Sequence, residues 1–298
     1  MQAIDEKTRL LQSPVLKTNR MKRILVPTDF SPTSEKALRF AIDIASKAKG
    51  TVILYHAYMP AESTFVGTEK TRMQYNTQTE TKLVNRLQRF KKKVVLNDTD
   101  IPVSTVLSRS PVIDNILEFA EQNQIDLLVM GTQGASGLKK TIIGSTAARI
   151  IEKSNIPVLL VPEKYQWKDI ERIVLATNYQ GADRKALTII LPLAKLYAAE
   201  VTIIHLYDFH AADEKKEKTD FESYAYGVQR TFSELNLKFR LLKTSSITES
   251  MENLAEEIPC DIAVMVRRKK TFPERFFLKS FTKNMAYVTR LPLLIVPE

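Results

Sequence analysis

Five short apolar runs rich in β-formers, at 24–26, 52–55, 103–107, 127–130 and 158–161, punctuate the first half of the chain without clean alternation of polar and apolar positions. That pattern predicts strands buried on both faces of a sheet. Between the runs, 34–48, the more polar 68–93, 112–123 and 145–153 carry apolar residues at helical spacing. Ser110-Pro111 supplies a cap and a first-turn proline for the third of these helices. Alternating strands and helices predict a doubly wound α/β unit: five parallel strands, helices on both faces, and a ligand crevice at the carboxyl ends of the strands.

The pattern then repeats. Arg23-Ile-Leu-Val-Pro-Thr-Asp-Phe-Ser-Pro answers to Arg172-Ile-Val-Leu-Ala-Thr-Asn-Tyr-Gln-Gly, and Thr51-Val-Ile-Leu-Tyr-His-Ala-Tyr to Glu200-Val-Thr-Ile-Ile-His-Leu-Tyr. Further on, Ile125-Asp-Leu-Leu-Val-Met-Gly pairs with Cys260-Asp-Ile-Ala-Val-Met-Val, and Ile156-Pro-Val-Leu-Leu-Val-Pro with Leu291-Pro-Leu-Leu-Ile-Val-Pro. Four matches in order imply a tandem duplication. The units run over 21–163 and 170–298, joined by a linker, 164–169, short enough to force close packing. The closing runs Val158 to Val161 and Leu293 to Ile295 are apolar enough to meet antiparallel across a pseudo-twofold axis, making an intramolecular pseudo-dimer. A further homodimer of whole chains is left open.

Composition narrows the setting. At 298 residues with 44% hydrophobic and 26% charged positions, the chain is an ordinary globular protein of two domains. No apolar run reaches the roughly 18 residues of a membrane span, and residues 1–20 mix charges without an apolar signal core. Removing those residues is expected to leave folding and ligand binding intact. The single cysteine, Cys260, reads as a small buried hydrophobe rather than a redox centre, and points to a reducing cytoplasm. A net charge of +10 suits anionic partners, but the clusters Lys91-Lys92-Lys93 and Arg267-Arg268-Lys269-Lys270 accompany no nucleic-acid-binding signature, so nucleic acid is not the expected partner.

Four of the 8 glycines, Gly131, Gly134, Gly137 and Gly144, fall between the fourth strand and the helix that begins at Ser145 and Thr146. Glycines let backbone N–H groups approach phosphate oxygens, and a helix N-terminus adds its dipole and the two hydroxyls, with Lys139 and Lys140 nearby. On these residues alone, an ordinary loop with Ser145 as a plain N-cap is an equal reading. Asp29, at the end of the first strand, is either a ligand contact or a cap on the strand-to-helix turn. His56 and its repeat equivalent His205 lack a partner cluster for metal or nucleophile chemistry and read as structural.

The spacing G-x2-G-x9-G-[ST] at Gly131, Gly134, Gly144 and Ser145 is not a Walker A loop, and it resembles the nucleotide loop of ATP-binding universal stress proteins. The start Met21-Lys-Arg-Ile-Leu-Val-Pro-Thr-Asp-Phe-Ser and the run from Gly144 to Pro162 are also similar to that family. The resemblance implies two tandem Rossmann-like domains of the adenine nucleotide α-hydrolase type. It further implies that Pro27, Thr28 and Asp29 meet the nucleoside, that the backbone of Ala57 meets adenine, and that Met130 and Gly131 line the end of the fourth strand. Gly134, Gly144, Ser145 and Thr146 would hold the phosphates of ATP, with Mg²⁺ bound mainly by phosphate and water.

In the second unit Val266, Lys269 and Lys279 stand where Gly131, Gly134 and Gly144 do, Asn178 replaces Asp29 and Ala176 replaces Pro27, while Ser280 survives. Side chains there would crowd phosphates, so one nucleotide site per chain is expected. Arg267 to Lys270 is either a solvated basic loop or an attractor of another anion. The leading expectation is an ATP-binding stress-response module that acts on an unidentified protein partner. The sequence supplies no evident general base, arginine finger or acidic metal cluster, so no catalytic residue is assigned. Two alternatives stand beside it: a slow ATPase or nucleotide hydrolase assisted by Asp29 or Lys139, and a nucleotide-free interaction scaffold.

Overall fold

The computed structural model describes residues 21–61, 68–95, 100–132, 143–179, 182–208, 210, 213–245, 258–267 and 291–298. The first unit contains β1 (Arg23–Pro27), α1 (Pro32–Ala48), β2 (Thr51–Tyr58), α2 (Glu69–Val94), β3 (Val103–Arg109), α3 (Val112–Gln122), β4 (Leu127–Gly131), α4 (Ser145–Lys153) and β5 (Val158–Val161). The second contains β6 (Arg172–Thr177), α5 (Ala182–Tyr197), β7 (Glu200–Asp208), α6 (Glu214–Thr231), β8 (Leu237–Thr244), β9 (Ile262–Arg267) and β10 (Leu293–Pro297).

These strands make one sheet in the order β3-β2-β1-β4-β5-β10-β9-β6-β7-β8. Every pairing within a unit is parallel. The units join through the antiparallel pair β5–β10, with Leu159 opposite Leu294. The expected pseudo-twofold pairing of the closing strands is therefore present. Alternate residues of each strand feed two apolar layers, which is why the runs do not alternate in hydrophobicity. Ile24 and Val26 face the layer under α1, α2, α5 and α6, and Leu25 faces the layer under α3 and α4. Both layers cross the junction, since each holds residues from β5 and β10.

Local signals account for most element ends, with two differences. Helix α1 begins two residues before the expected 34 because Ser31 is its N-cap, accepting from Ser34 N at 3.2 Å, and Pro32 occupies the first turn. Ser110 does not cap α3. The N-cap there is Pro111 in extended backbone, and it has no side-chain acceptor to offer.

The inter-unit connection is packed rather than slack. Tyr165 and Ile170 are buried, and Tyr165 and Trp167 lie against Phe40 of α1 with ring centroids 5.5 and 5.3 Å away. Lys36 Nζ donates to the carbonyl oxygens of Glu163 and Tyr165, the latter at 2.9 Å. Burial pushes the Tyr165 phenol up to about 12, helped by the nearby carboxylates of Asp261, Asp43 and Asp169 and opposed by a backbone hydrogen bond from Lys168. Cys260 is buried, as a small hydrophobe would be.

Candidate functional site

The sheet order of the first unit reverses between β1 and β4, and the carboxyl ends of those strands open the crevice in which ligands of doubly wound folds sit. Beyond β1, Thr28 N donates to Tyr55 O at 2.8 Å, and Thr28 Oγ1 accepts from Phe30 N at 3.0 Å and lies 2.9 Å from Ser34 Oγ. Asp29 Oδ1 accepts from Ser31 N at 3.0 Å. Asp29 thus caps the strand-to-helix turn. Phe30 pays the strain of the turn with a left-handed φ of 65°.

His56 holds this turn from β2. Its Nδ1 lies 2.7 Å from Thr28 O, and because a carbonyl only accepts, Nδ1 carries the proton. Burial lowers the affinity of the ring for a second proton, opposed by the bond to Thr28; Arg86 adds to the lowering and Asp29 counters it. The ring also packs on Phe30 at 4.4 Å, and the Arg86 guanidinium covers the Phe30 ring at 4.2 Å. The structural reading of His56 holds. The Phe30–Arg86 stack was not legible in sequence, because 56 positions separate its members and nothing local marks them.

Ala57 lies where the β1–β2 ladder has run out. The last paired residues are Pro27 and Tyr55. Backbone direction alternates along β2, so the amide of Ala57 faces the side on which Tyr55 bonds β1, past the point where β1 ends. Thr28 O, the next acceptor on that side, is taken by the His56 ring.

At the end of β4, Met130 is buried in the apolar layer with α3 and α4, so only its backbone belongs to the crevice. Gly131 lies tight against α1: a Cβ there would stand 2.7 Å from Thr33 Cγ2. Thr132 N donates to Val161 O at 3.0 Å, and Gly144 N donates to Thr132 O at 2.7 Å, which pinches the base of the glycine loop. Gly134, Gly137, Lys139 and Lys140 lie outside the described residues. Of the two readings of this segment, the one with Ser145 as a plain N-cap does not hold. Gly144 is the N-cap, with φ −65° and ψ 156°, no side chain among the described residues caps the helix, and Ser145 and Thr146 are exposed in its first turn. A glycine there brings no side-chain acceptor of its own to the first amides of α4.

The second unit keeps the scaffold of this turn and surrounds it with different side chains. Thr177 Oγ1 accepts from Tyr179 N at 3.0 Å, His205 Nδ1 lies 2.8 Å from Thr177 O, and Tyr179 has φ 62°. Each matches its first-unit counterpart. Tyr179, however, donates its hydroxyl to Glu217 Oε2 at 2.9 Å, and His205 Nε2 lies 3.4 Å from the same oxygen. Phe221 and Tyr224 of α6 close on the Tyr179 ring at 5.8 and 5.7 Å. Burial, reinforced by Glu217, raises the Tyr179 phenol far above its ordinary range. Thr177 also donates to the buried Asp183, where the first unit has Ser34. Ala176 lies within β6 and Asn178 directly follows that strand, while Lys269, Lys279 and Ser280 lie outside the described residues.

Among the described residues, no group of three or more His, Cys, Asp or Glu side chains is placed to hold a metal ion. No helix among them is long and apolar enough to cross a membrane.

Two doubly wound units with switch-point crevices, fused through their last strands, define a tandem Rossmann-like protein. The model of the universal stress protein family matches residues 21–162 and again 169–297, and the chain belongs to that family. Two universal stress proteins of Methanocaldococcus jannaschii are 33% and 30% identical to it, over 48% of this chain in both cases and over 83% and 96% of their own lengths. Among solved structures, a universal stress protein from Archaeoglobus fulgidus superposes with a TM-score of 0.66 at 15% identity, covering 94% of this chain and 97% of its own. A protein of unknown function from Pseudomonas aeruginosa superposes at 0.60 and 14% identity, with 94% of each chain covered. These likenesses span both units and show the fold.

Proposed function

We propose that the first unit binds ATP and that nucleotide occupancy biases the conformation of the tandem pair, or its affinity for a protein partner, in a cytoplasmic stress response. The observation that carries this reading is the glycine N-cap of α4, Gly144, which offers its first turn no side-chain acceptor, beside the switch point between β1 and β4. The first-turn amides, the helix dipole and the exposed Ser145 and Thr146 hydroxyls fit a phosphate chain. Gly131 and Gly134 would let the chain pass close to it. Asp29 suits a ribose hydroxyl, and the Ala57 amide suits an adenine nitrogen, with Pro27, Thr28 and the Met130 backbone forming the floor. Mg²⁺ bound with the nucleotide would be held by phosphate oxygens and water, and would neutralise phosphate charge.

Calorimetric titration with ATP and Mg²⁺, set beside a Gly134→Lys variant that copies the second unit's loop, tests the reading. About one ATP bound per chain and none in the variant is the expected result. Absence of binding by a folded wild type leaves the scaffold reading in its place. Multiple-turnover phosphate release that disappears in Asp29→Asn or Lys139→Ala would make the protein a slow hydrolase.

A further inference from the structure

Arg267 is the last residue of β9 and pairs with Pro297 of β10. Because β10 runs antiparallel to β5, the carboxyl end of β9 lies beside the amino end of β5, where α4 of the other unit finishes. The guanidinium crosses that boundary. Its NH2 group donates to Ser154 O at 2.7 Å and its NH1 group to Glu152 O. Ser154 is the C-cap of α4 and itself donates to Ile150 O at 2.8 Å. A fork of donors from the second unit therefore satisfies carbonyls that the end of a helix leaves without intrahelical partners, and it puts a positive charge where the helix dipole is negative.

The helix held in this way has nine residues, a length at which a free helix frays from both ends. Its buried face is small, consisting of Ala147, Ile150 and Ile151, and its side-chain tie to α3 is the exposed pair Lys153–Asp114 at 2.9 Å. A contact that fixes the last turn therefore bears on whether the first turn keeps its amides in place. The first turn is the one that begins at Gly144. Burial pulls the Arg267 guanidinium below its ordinary value, while the Glu152 carboxylate opposes the shift.

We infer that the second unit serves the first as a positioning element, with Arg267 as the positioning residue that holds α4 so that its N-terminus can take the phosphates of a nucleotide. The inference rests on the nucleotide reading above. It also gives the first member of the basic run 267–270 a task within the protein, in place of binding an external anion.

The test uses the full chain as wild type, Arg267→Ala and Arg267→Lys, each titrated with Mg-ATP and with adenosine. In Arg267→Ala the affinity for ATP falls about tenfold while that for adenosine stays within about twofold, because adenosine does not reach α4. Arg267→Lys, which keeps the charge and one donor, recovers part of the loss. Without nucleotide, amide hydrogen exchange over 148–154 is faster in Arg267→Ala than in wild type. Equal ATP affinity in wild type and Arg267→Ala overturns the inference alone, as does a parallel loss of ATP and adenosine, which marks general damage to the fold. A wild type that takes up neither ligand removes the nucleotide reading, and the inference with it.

Discussion

Gly131 and Thr33 meet where β4 leaves the sheet, so closely that a Cβ on the glycine would stand 2.7 Å from Thr33 Cγ2 and 3.1 Å from the Thr33 carbonyl carbon. Thr33 is buried in the first turn of α1 and has little room to yield. The glycine is therefore a packing requirement whether or not a nucleotide is present. Gly131→Ala is expected to cost about 1–3 kcal/mol through overpacking. Urea denaturation without ligand measures it, and an unchanged midpoint would mean that Thr33 moves aside freely.

His56 makes the first unit sensitive to mild acid. Its folded affinity for a proton lies below the unfolded reference of about 6.5, so the neutral ring supports the fold. The unfolded chain then takes up the proton first as pH falls. The contribution is complete above about 6.5 and is lost as pH drops from there through the folded value. His56→Phe is expected to lose about 1 kcal/mol at pH 8, with the bond to Thr28 O removed, and the gap to wild type should narrow towards pH 5. Parallel urea curves at both pH values decide the point.

Asp261 anchors the entry of β6. Its Oδ2 accepts from Glu171 N at 2.9 Å and Arg172 N at 2.8 Å, and its Oδ1 pairs with Lys168 Nζ at 2.5 Å. Burial alone would raise this carboxyl, but the bonds to Lys168 and the two amides outweigh it and hold the group below its ordinary 3.8. The stabilisation is therefore full above that value and is lost as pH falls below it through the folded value. Asp261→Asn is expected to cost about 2 kcal/mol at pH 7 and to converge with wild type in strong acid. Asp126 takes the amides of Lys22 and Arg23 in the same way, which makes Asp126→Asn the natural comparison.

Leu159 and Leu294 face each other at the junction, both fully buried. The apolar layers run through this pair, so the units are expected to unfold together in one calorimetric transition. Leu294→Ala should cost about 2–5 kcal/mol and lower the single transition as a whole. A first unit that melts at its wild-type temperature in this variant would show that the layers are energetically separate.

Much of this is legible in the sequence. Hydrophobic runs too short for helices and too continuous for one-sided strands marked the buried parallel strands, and their recurrence in the same order marked the duplication. The histidines at 56 and 205 stood in equal contexts, and both bond the threonine carbonyl of the turn beside them. Ser110 is not the cap of α3 because Pro111, in extended backbone, takes that position and carries no side-chain acceptor.

The order of strands and helices, their burial on two faces and the loss of loop glycines from the second unit were determined by the sequence itself. These properties depend on local periodicity, and burial leaves that periodicity in every turn of chain. Only the tertiary structure decided that Gly131 is wedged against Thr33, that Gly144 is the N-cap of α4, that Tyr179 bonds Glu217, and that Arg267 reaches Ser154. Such contacts join residues from 38 to 113 positions apart in the Tyr179 and Arg267 cases. Their partners are selected by where packed strands bring donors and acceptors within about 3 Å, a distance that local sequence does not encode.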